Sequence, residues 1–255
     1  MELTNIKMEK SEGIAKITFA RPKHNVFNIS MMKELNTVLE NFIKDKDLKA
    51  VAMFGEGKSW CAGVDVGDHK PDMVDDMIAE FNRIFQLTEK IEVPIIAAVH
   101  GACLGGGMEI AIAADIILAS DKAVFGQPEI KLGFFPPYAA IRLPALIGVA
   151  KAIEVCATGK LYPAKQARRL GFVSQVFENE TFDKKVQDYI NEIKYSSPLI
   201  IRLNKKAVKS NIGRNFDKAL DSVSDLFLNK LMKTEDTLEG IASFEEKRKP
   251  EWKNR

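Results

Sequence analysis

The sequence predicts an α/β fold with largely parallel strands, and three observations support this. Short apolar runs rich in strand-forming residues alternate with segments whose apolar residues recur at helical spacing. The 255 residues are enough for one large domain or for a domain with an appendage. Apolar residues make up 46% of the chain and charged residues 28%, which is typical of a globular protein and excludes a disordered one.

The elements follow one another in a regular order through the first half of the chain. Residues 13–20 predict a strand that ends at Arg21 and Pro22, and Ser30 is the predicted N-cap of the helix that follows. The next elements are a buried strand at 49–54, a glycine-rich loop at 55–63, an amphipathic helix at 77–91, a strand at 95–99, a short buried helix at 108–114 and a strand at 116–119. Strands that alternate with helices in this way favour parallel pairing.

Residues 93–119 contain no lysine or arginine and superficially resemble a membrane-spanning helix. Pro94, three consecutive glycines at 105–107, Glu109 and Asp115 interrupt the segment, however. A lipid-facing helix would be costly with these residues in it. We therefore expect a strand, a turn, a buried helix and a strand, with two acidic residues among apolar ones.

The pattern changes beyond about Thr181, where amphipathic helices rich in lysine and glutamate follow without convincing strands. The segment 196–198, Ser-Ser-Pro, is the most probable hinge in this part of the chain by composition. The predicted division is an α/β core at residues 1–195 and a helical region at residues 196–255.

Charge and cysteine content narrow the functional classes. The formal net charge is 37 − 35 = +2 with acids and bases interspersed, which argues against a dedicated nucleic-acid binder. Cys61, Cys103 and Cys156 form no CxxC pair, and their odd number favours a reduced compartment. The first residues lack an apolar signal core, so a cytoplasmic location is expected.

Several kinds of catalytic site are missing from the sequence. The three histidines, His24, His69 and His100, lack the spacing and cysteine neighbours of a zinc site, so no metal is expected. There is no G-x-S-x-G elbow and no G-x-G-x-x-G after the first strand, and the segment 55–59 is only an incomplete phosphate-binding loop. Carboxylates and backbone amides remain as the candidate groups.

Two glycine-containing segments offer backbone N–H groups. In Leu-Gly-Gly-Gly-Met-Glu at 104–109, three glycines precede a predicted helix, whose N-terminus favours a developing negative oxygen. Close packing of helix against strand is an equally good explanation for these glycines. Ala62 and Gly63 form a second segment, in which small residues let a ligand approach the backbone. We expect Asp65 to bind loop amides rather than substrate.

Glu109 and Glu129 are the candidate acid and base. Glu109 lies between Met108 and Ile110, and Glu129 follows a turn-forming Gln-Pro pair among apolar residues. Burial and a neighbouring like charge raise the pKa of a carboxyl group. Such a pair has one member as acid and the other as base near neutral pH, each role commonly contributing about 10²–10⁴ in rate. The sequence does not assign the two roles.

Four segments in this order resemble the crotonase (enoyl-CoA hydratase/isomerase) superfamily. They are 61–65 (Cys-Ala-Gly-Val-Asp), 104–109, 125–129 (Phe-Gly-Gln-Pro-Glu) and 244–248 (Phe-Glu-Glu-Lys-Arg). The resemblance extends over essentially the whole chain, with Arg21, Pro22 and Asn25 near its start. It implies a spiral of ββα units and a C-terminal helical region that builds trimers, often paired into hexamers.

The resemblance also implies roles for individual residues. Ala62 and Gly106 match the two residues whose N–H groups form the oxyanion hole, and Glu109 and Glu129 match the glutamates that activate water and deliver the proton. Residues at 62–65, namely Ala62, Gly63, Val64 and Asp65, match the loop that lines the coenzyme A site, and Lys247 matches a tail lysine that helps to bind it. No separate cofactor is implied, because coenzyme A is part of the substrate.

The acyl group is the least determined part of the prediction. Both glutamates favour a hydratase, but Pro136 and Pro137 stand where straight-chain hydratases have a glycine-rich segment. With Phe134, Phe135 and Tyr138 nearby, the chain is similar to the cyclohexa-1,5-diene-1-carbonyl-CoA hydratases of anaerobic benzoyl-CoA degradation. The alternatives are a generic enoyl-CoA hydratase or isomerase of fatty-acid oxidation, and a non-catalytic protein of the same fold, for example one that binds nucleic acid.

Overall fold

The computed structural model describes residues 3–255, which form two sheets surrounded by helices. Its strands are β1 (Ile6–Ser11), β2 (Ile14–Phe19), β3 (Ala50–Gly55), β4 (Ser59–Cys61), β5 (Ile95–Val99), β6 (Ala102–Leu104), β7 (Ile116–Ser120), β8 (Val124–Gly126), β9 (Leu161–Pro163) and β10 (Gln175–Phe177). Its α-helices are α1 (Ile29–Lys44), α2 (Val74–Lys90), α3 (Gly106–Ala113), α4 (Pro137–Ile147), α5 (Val149–Thr158), α6 (Ala164–Leu170), α7 (Phe182–Lys194), α8 (Pro198–Lys209), α9 (Phe216–Asn229) and α10 (Glu235–Glu245).

From β3 to β8, consecutive strands alternate between the two sheets. The larger sheet has the order β1-β2-β3-β5-β7-β10, and the smaller one has the order β4-β6-β8-β9. Except for the antiparallel pairs β1/β2 and β8/β9, neighbouring strands are parallel. The pairs β3/β4, β5/β6 and β7/β8 therefore each place one strand in each sheet before the chain enters a helix. This is the predicted α/β spiral of ββα units.

Apolar periodicity identified the long helices correctly, but it missed short elements. The apolar residues that recur at helical spacing in α1 are buried, namely Met32, Leu35, Val38, Leu39 and Phe42. The N-cap of α1 is Asn28 instead of Ser30, because the Asn28 side chain accepts from the N–H of Met31 at 3.0 Å. The predicted loop at 55–63 contains β4, and the turn after β5 contains β6. Three-residue strands are too short to show a period.

The segment without lysine or arginine forms a buried layer of the core. β5 and α3 are buried at every residue. α3 begins at Gly106, two residues before the predicted start, because Gly105 adopts a positive φ of 53° that ends β6 and starts the helix. Within residues 3–255 no helix is long and apolar enough to cross a membrane.

The C-terminal helices follow the predicted hinge directly. α8 begins at Pro198, and Ser197 caps it by accepting from the N–H of Ile200. Lys205 of α8 is bound to Asp115 at 2.5 Å and to the carbonyl of Val93 at 2.8 Å. These contacts hold α8 against the α/β core. The division at 195/196 stays a prediction, and its position coincides with the turn between α7 and α8.

One buried carboxylate ties the end of the chain to these helices. Asp236, 1% exposed at the start of α10, accepts hydrogen bonds from the Ser197 hydroxyl and from the N–H groups of Lys253 and Asn254. Replacing one buried acceptor leaves three donors without their partner.

We expect Asp236→Ala to lower the free energy of unfolding by about 1–3 kcal/mol. Asp225→Ala is the matched control, because Asp225 lies on α9 and accepts only from the exposed Asn229 side chain. The control should change stability by less than about 0.5 kcal/mol. Urea denaturation measures both variants, and equal losses would contradict the role given to Asp236.

Candidate active site

The predicted site residues meet at one edge of the smaller sheet. The strands β4, β6 and β8 lie side by side and parallel, with Cys61 beside Cys103 and Leu104 beside Gly126. The chain segments that leave the ends of these strands are therefore neighbours. They carry the loop at 62–65, the start of α3 and the turn with Glu129. Residues more than 60 positions apart in sequence are brought together in this way.

Each of the three glycines at 105–107 faces a different neighbour. A Cβ atom on Gly105 would lie 2.6 Å from Oε1 of Glu129, and one on Gly106 would lie 2.5 Å from a methyl carbon of Val64. A Cβ on Gly107 would lie 2.4 Å from the carbonyl oxygen of Cys61. Close packing thus explains all three glycines. It also places the backbone of 105–106 beside both a carboxylate and the loop at 62–65.

Among residues 3–255, no acceptor is present for the N–H of Val64 or for the first N–H groups of α3, which begins at Gly106. Val64 lies between Gly63, whose carbonyl accepts from Phe27, and Asp65, whose N–H donates to Phe27. Val64 and Gly106 pack against each other, and their N–H groups are the candidate oxyanion donors.

Ala62 does not fit the role that the resemblance implied. Its N–H donates to the carbonyl of His24 at 3.0 Å, so it is already paired. Val64, two residues later, has the free N–H and packs directly against the position of Gly106. The predicted donor is therefore wrong by two residues along the same loop.

Glu109 is buried on α3 and is held by the N-terminus of α4. It is 2% exposed, and its Oε1 accepts from the N–H groups of Tyr138 and Ala139 at 2.7 and 2.9 Å. The pKa of Glu109 is raised to about 7, mainly by burial and also by the charge of Glu129, against the two N–H bonds, which lower it.

Glu129 lies half-buried in the short 3-10 helix after β8, next to Gly105. With its amide nitrogen turned toward this carboxylate, Gln127 donates to both oxygens at 3.1 Å. Burial raises the pKa of Glu129 to about 7, against a hydrogen bond from its own N–H that lowers it. The predicted pair of carboxyl groups with raised pKa values is therefore present.

Asp65 behaves as predicted for a loop carboxylate. Its Oδ1 accepts from the N–H of Gly67 at 3.0 Å, and its Oδ2 pairs with Arg21 at 3.1 Å. Arg21 also donates to the carbonyl of Val26 at 2.7 Å. These bonds fix the loop that carries Gly63 and Val64. Lys247 is exposed in a turn after α10, at a φ of 54°, and its role in binding coenzyme A stays a prediction.

The three aromatic residues at 134–138 have different surroundings. Tyr138 stacks on Phe85 of α2, with ring centroids 3.7 Å apart and planes 6° from parallel. Phe134 contacts His69, which lies in the short 3-10 helix after the loop at 62–65, with a centroid distance of 5.0 Å. Phe135 is 72% exposed.

Among the described residues, no group of three or more His, Cys, Asp or Glu side chains could hold a metal ion.

Sequence reasoning missed three groups of this site. Gln127 belongs to the turn-forming Gln-Pro pair, and the sequence carries no signal that its side chain is buried next to Glu129. The N–H groups of Tyr138 and Ala139 carry no side-chain signal. They directly follow Pro137, which has no N–H, and they supply the donors to Glu109.

Comparisons with known proteins agree with this geometry. The family model described as "Enoyl-CoA hydratase/isomerase" matches residues 9–255. The chain is 36% identical to a short-chain-enoyl-CoA hydratase of Clostridium acetobutylicum over the full length of both chains. It is 31% identical to a cyclohexa-1,5-dienecarbonyl-CoA hydratase of Thauera aromatica, over 97% of this chain and 96% of that one.

A crystal structure of an enoyl-CoA hydratase from Bacillus anthracis is similar to this structure, with a TM-score of 0.93 and 28% identity over 99% of this chain and 100% of that one. The fold and the paired carboxyl groups define a crotonase-type enzyme. The chain belongs to the enoyl-CoA hydratase/isomerase family. The predicted enzyme class, hydro-lyase, is confirmed by this membership and by the names of the relatives.

The raised pKa of Glu109 predicts a stability that depends on pH. The unfolded chain releases this proton near pH 4.5 and the folded chain near pH 7, so folding is favoured at low pH and loses up to about 3 kcal/mol as the pH rises through 7. Glu109→Gln removes this loss. We expect the variant to exceed the original chain in free energy of unfolding at pH 8 and to match it at pH 5.

Chemical denaturation at the two pH values tests this expectation. Glu9→Gln is the control, because Glu9 is an exposed glutamate on β1. The free energies of unfolding of Glu109→Gln and the original chain could instead differ by the same amount at pH 5 and pH 8. That result would show that Glu109 does not titrate as described.

Proposed function

We propose that this protein is a hydratase that adds water to the conjugated double bond of an enoyl-CoA thioester. One observation carries the proposal: two unpaired backbone N–H groups lie beside two carboxyl groups that both have a pKa of about 7. The groups come from separate segments of the chain, so their convergence is a property of the fold. Hydratases require these functions together.

The N–H groups of Val64 and Gly106 suit the thioester carbonyl. When hydroxide adds to the β-carbon, the electrons of the double bond move toward the carbonyl, and the oxygen gains negative charge as an enolate. Two fixed N–H donors stabilise that charge. The positive end of α3, whose first residue is Gly106, adds to the stabilisation.

Glu109 and Glu129 suit the proton transfers. One carboxylate accepts a proton from water, and the other carboxyl group delivers a proton to the α-carbon. With both pKa values near 7, one carboxyl group is ionised and the other protonated over a range around neutral pH. The hydrogen bonds to Tyr138, Ala139 and Gln127 hold each group in place before substrate arrives.

We place a short linear enoyl-CoA first as substrate, and this corrects the order of our sequence interpretation. The support is the relative named for short-chain substrates, which is 36% identical over both full chains. The cyclic dienoyl-CoA remains the second candidate. It is supported by the relative named for that substrate, at 31% identity, and by the phenylalanines at 134 and 135 with the prolines that follow them.

We also propose a homotrimer or a dimer of trimers. The support is the large number of exposed apolar side chains in the C-terminal helical region, which include Ile212, Phe216, Leu228, Leu238 and Phe244. Large exposed apolar surfaces of this kind mark association sites.

We also propose that nearby lysine side chains bind the phosphates of coenzyme A. The net charge of the chain is only +2, so the protein as a whole would attract these phosphates weakly.

The first test is an activity screen of the purified protein. We expect it to hydrate crotonyl-CoA, seen as a gain of one water by mass spectrometry, and to act more slowly on cyclohexa-1,5-diene-1-carbonyl-CoA. Glu109→Gln and Glu129→Gln should each lower kcat by about 10²–10⁴. Faster turnover of the cyclic compound would reverse the order of substrates, and failure with both compounds would refute the proposed activity.

The second test concerns the N–H donors. In Gly106→Ala, the new Cβ overlaps with the methyl group of Val64, and we expect kcat/KM to fall about 10²-fold as the two donors separate. Val64→Ala keeps the N–H and removes the methyl group. The double variant Val64→Ala/Gly106→Ala should therefore recover at least about tenfold of the loss.

Gly240→Ala is the matched control for this series. A Cβ on Gly240 would lie 3.6 Å from the ring of Trp252, an ordinary contact, so activity should not change. If the double variant were as inactive as Gly106→Ala, overlap with the Val64 side chain would not be what separates the two donors.

A further inference from the structure

The pair Phe85–Tyr138 connects α2 to the residue that holds Glu109. Its rings are stacked at 3.7 Å and 6°, the closest and most nearly parallel aromatic contact among residues 3–255. Phe85 is 5% exposed and touches Phe81 edge to face at 4.8 Å. A Cβ on Gly106 would lie 3.1 Å from the Phe81 ring. A continuous aromatic row thus runs from the start of α3 to the start of α4.

The start of α4 offers only two donors, and Glu109 takes both. Pro137, the first residue of the helix, has no N–H, and the N–H of Ala140 already donates to Pro136. The remaining N–H groups, those of Tyr138 and Ala139, both donate to Oε1 of Glu109. A small rotation of this first turn would therefore break all of the hydrogen bonds to that oxygen.

We propose that the stack of Tyr138 on Phe85 is the positioning device for Glu109, because it fixes the first turn of α4 against α2 and so aims two N–H groups at Oε1. Tyr138 is a positioning residue and acts through its own backbone. Its ring supplies an anchor that a small residue at this position would lack. The inference rests on the proposed function only for its kinetic consequence, since the geometry concerns the free protein.

The charged surroundings of Glu109 determine what a titration reports. Glu129, in the turn after β8, is the group that titrates in the same range as Glu109. Cys156 of α5 and the Tyr138 hydroxyl have pKa values raised by burial to about 11 and about 12, so both are neutral there. Arg142 of α4, Glu89 of α2 and Asp115 before β7 also act electrostatically on the Tyr138 hydroxyl.

Tyr138→Leu removes the stack and keeps a good helix former. Because N–H bonds favour the ionised carboxyl group, a loosened first turn should raise the pKa of Glu109 by about one unit. The measurement is the pH titration of glutamate carboxyl carbons by NMR in the free protein, with the Glu109 signal assigned by its loss in Glu109→Gln. Tyr138→Phe keeps the stack and should titrate as the original chain does.

Kinetics give a second readout. We expect Tyr138→Leu to lower kcat at least tenfold, to leave KM within about twofold and to move the limb of the pH profile that depends on Glu109 toward higher pH. Phe85→Leu should reproduce this effect from the other side of the stack. Its matched control is Phe172→Leu, because Phe172 is also 5% exposed and touches Phe125 edge to face away from Glu109.

The outcomes separate the inference from the proposed function. If Tyr138→Leu and Phe85→Leu lose thermal stability as Phe172→Leu does but keep the Glu109 titration unchanged, the stack is merely structural and the inference is refuted. If the original chain hydrates no enoyl-CoA, the proposed function fails while the NMR titration still decides the role of the stack.

Discussion

The parallel register of β4, β6 and β8 is the constraint on which the site depends. These strands are only three residues long, and none of the four candidate groups lies within them. The groups lie instead in the segments that immediately follow: Val64 after β4, Gly106 and Glu109 after β6, and Glu129 after β8.

The register of these strands is critical, because a one-residue slip of β6 against β4 would move Gly107 away from Cys61 and separate the two N–H donors. The glycines at 105–107 permit this register, because a side chain at any of them would push a neighbouring segment away. Close packing and the proposed oxyanion binding, which the sequence left as competing explanations for the glycines, are therefore compatible with one arrangement.

Burial of two carboxyl groups side by side is destabilising, and the structure shows how it is tolerated. Each group is desolvated enough to raise its pKa to about 7, yet each retains hydrogen bonds that favour its ionised form. Burial without these bonds would keep both groups protonated at neutral pH, and no base would be present. Strong bonds in a solvated site would keep both ionised, and no acid would be present. The partners differ in kind: Glu109 is held by the backbone of a helix N-terminus, whereas Glu129 is held by the buried side chain of Gln127.

Sequence reasoning predicted much of this arrangement, and its failures have physical causes. Periodicity identified α1 and α2 and the buried layer formed by β5, α3 and β7, because a long apolar face leaves a clear pattern. It missed β1 and the three-residue strands of the smaller sheet, and these short strands cannot show a period.

Sequence motifs predicted Glu109, Glu129 and Gly106 as site residues. Ala62 was chosen in place of Val64 because a backbone donor has no side-chain signature, and only the hydrogen bond from Ala62 to His24 shows which N–H is taken. The donors at 138 and 139 escaped for the same reason.

The candidate groups for hydration and the aromatic segment at 130–135 belong to different parts of the fold. Gly106 and Glu109 lie on α3, where every residue is buried and a side chain cannot change without disturbing its neighbours, and Val64 packs against Gly106. The residues at 130–135 are largely exposed, and Phe135, which is 72% exposed, contributes little to the core. Substitutions at these exposed positions should therefore cost less stability than substitutions on α3, whereas Tyr138 is tied to Glu109 through its backbone N–H. Because the two parts are separate, the segment at 130–135 can vary while the close packing around Gly106 and Glu109 is retained.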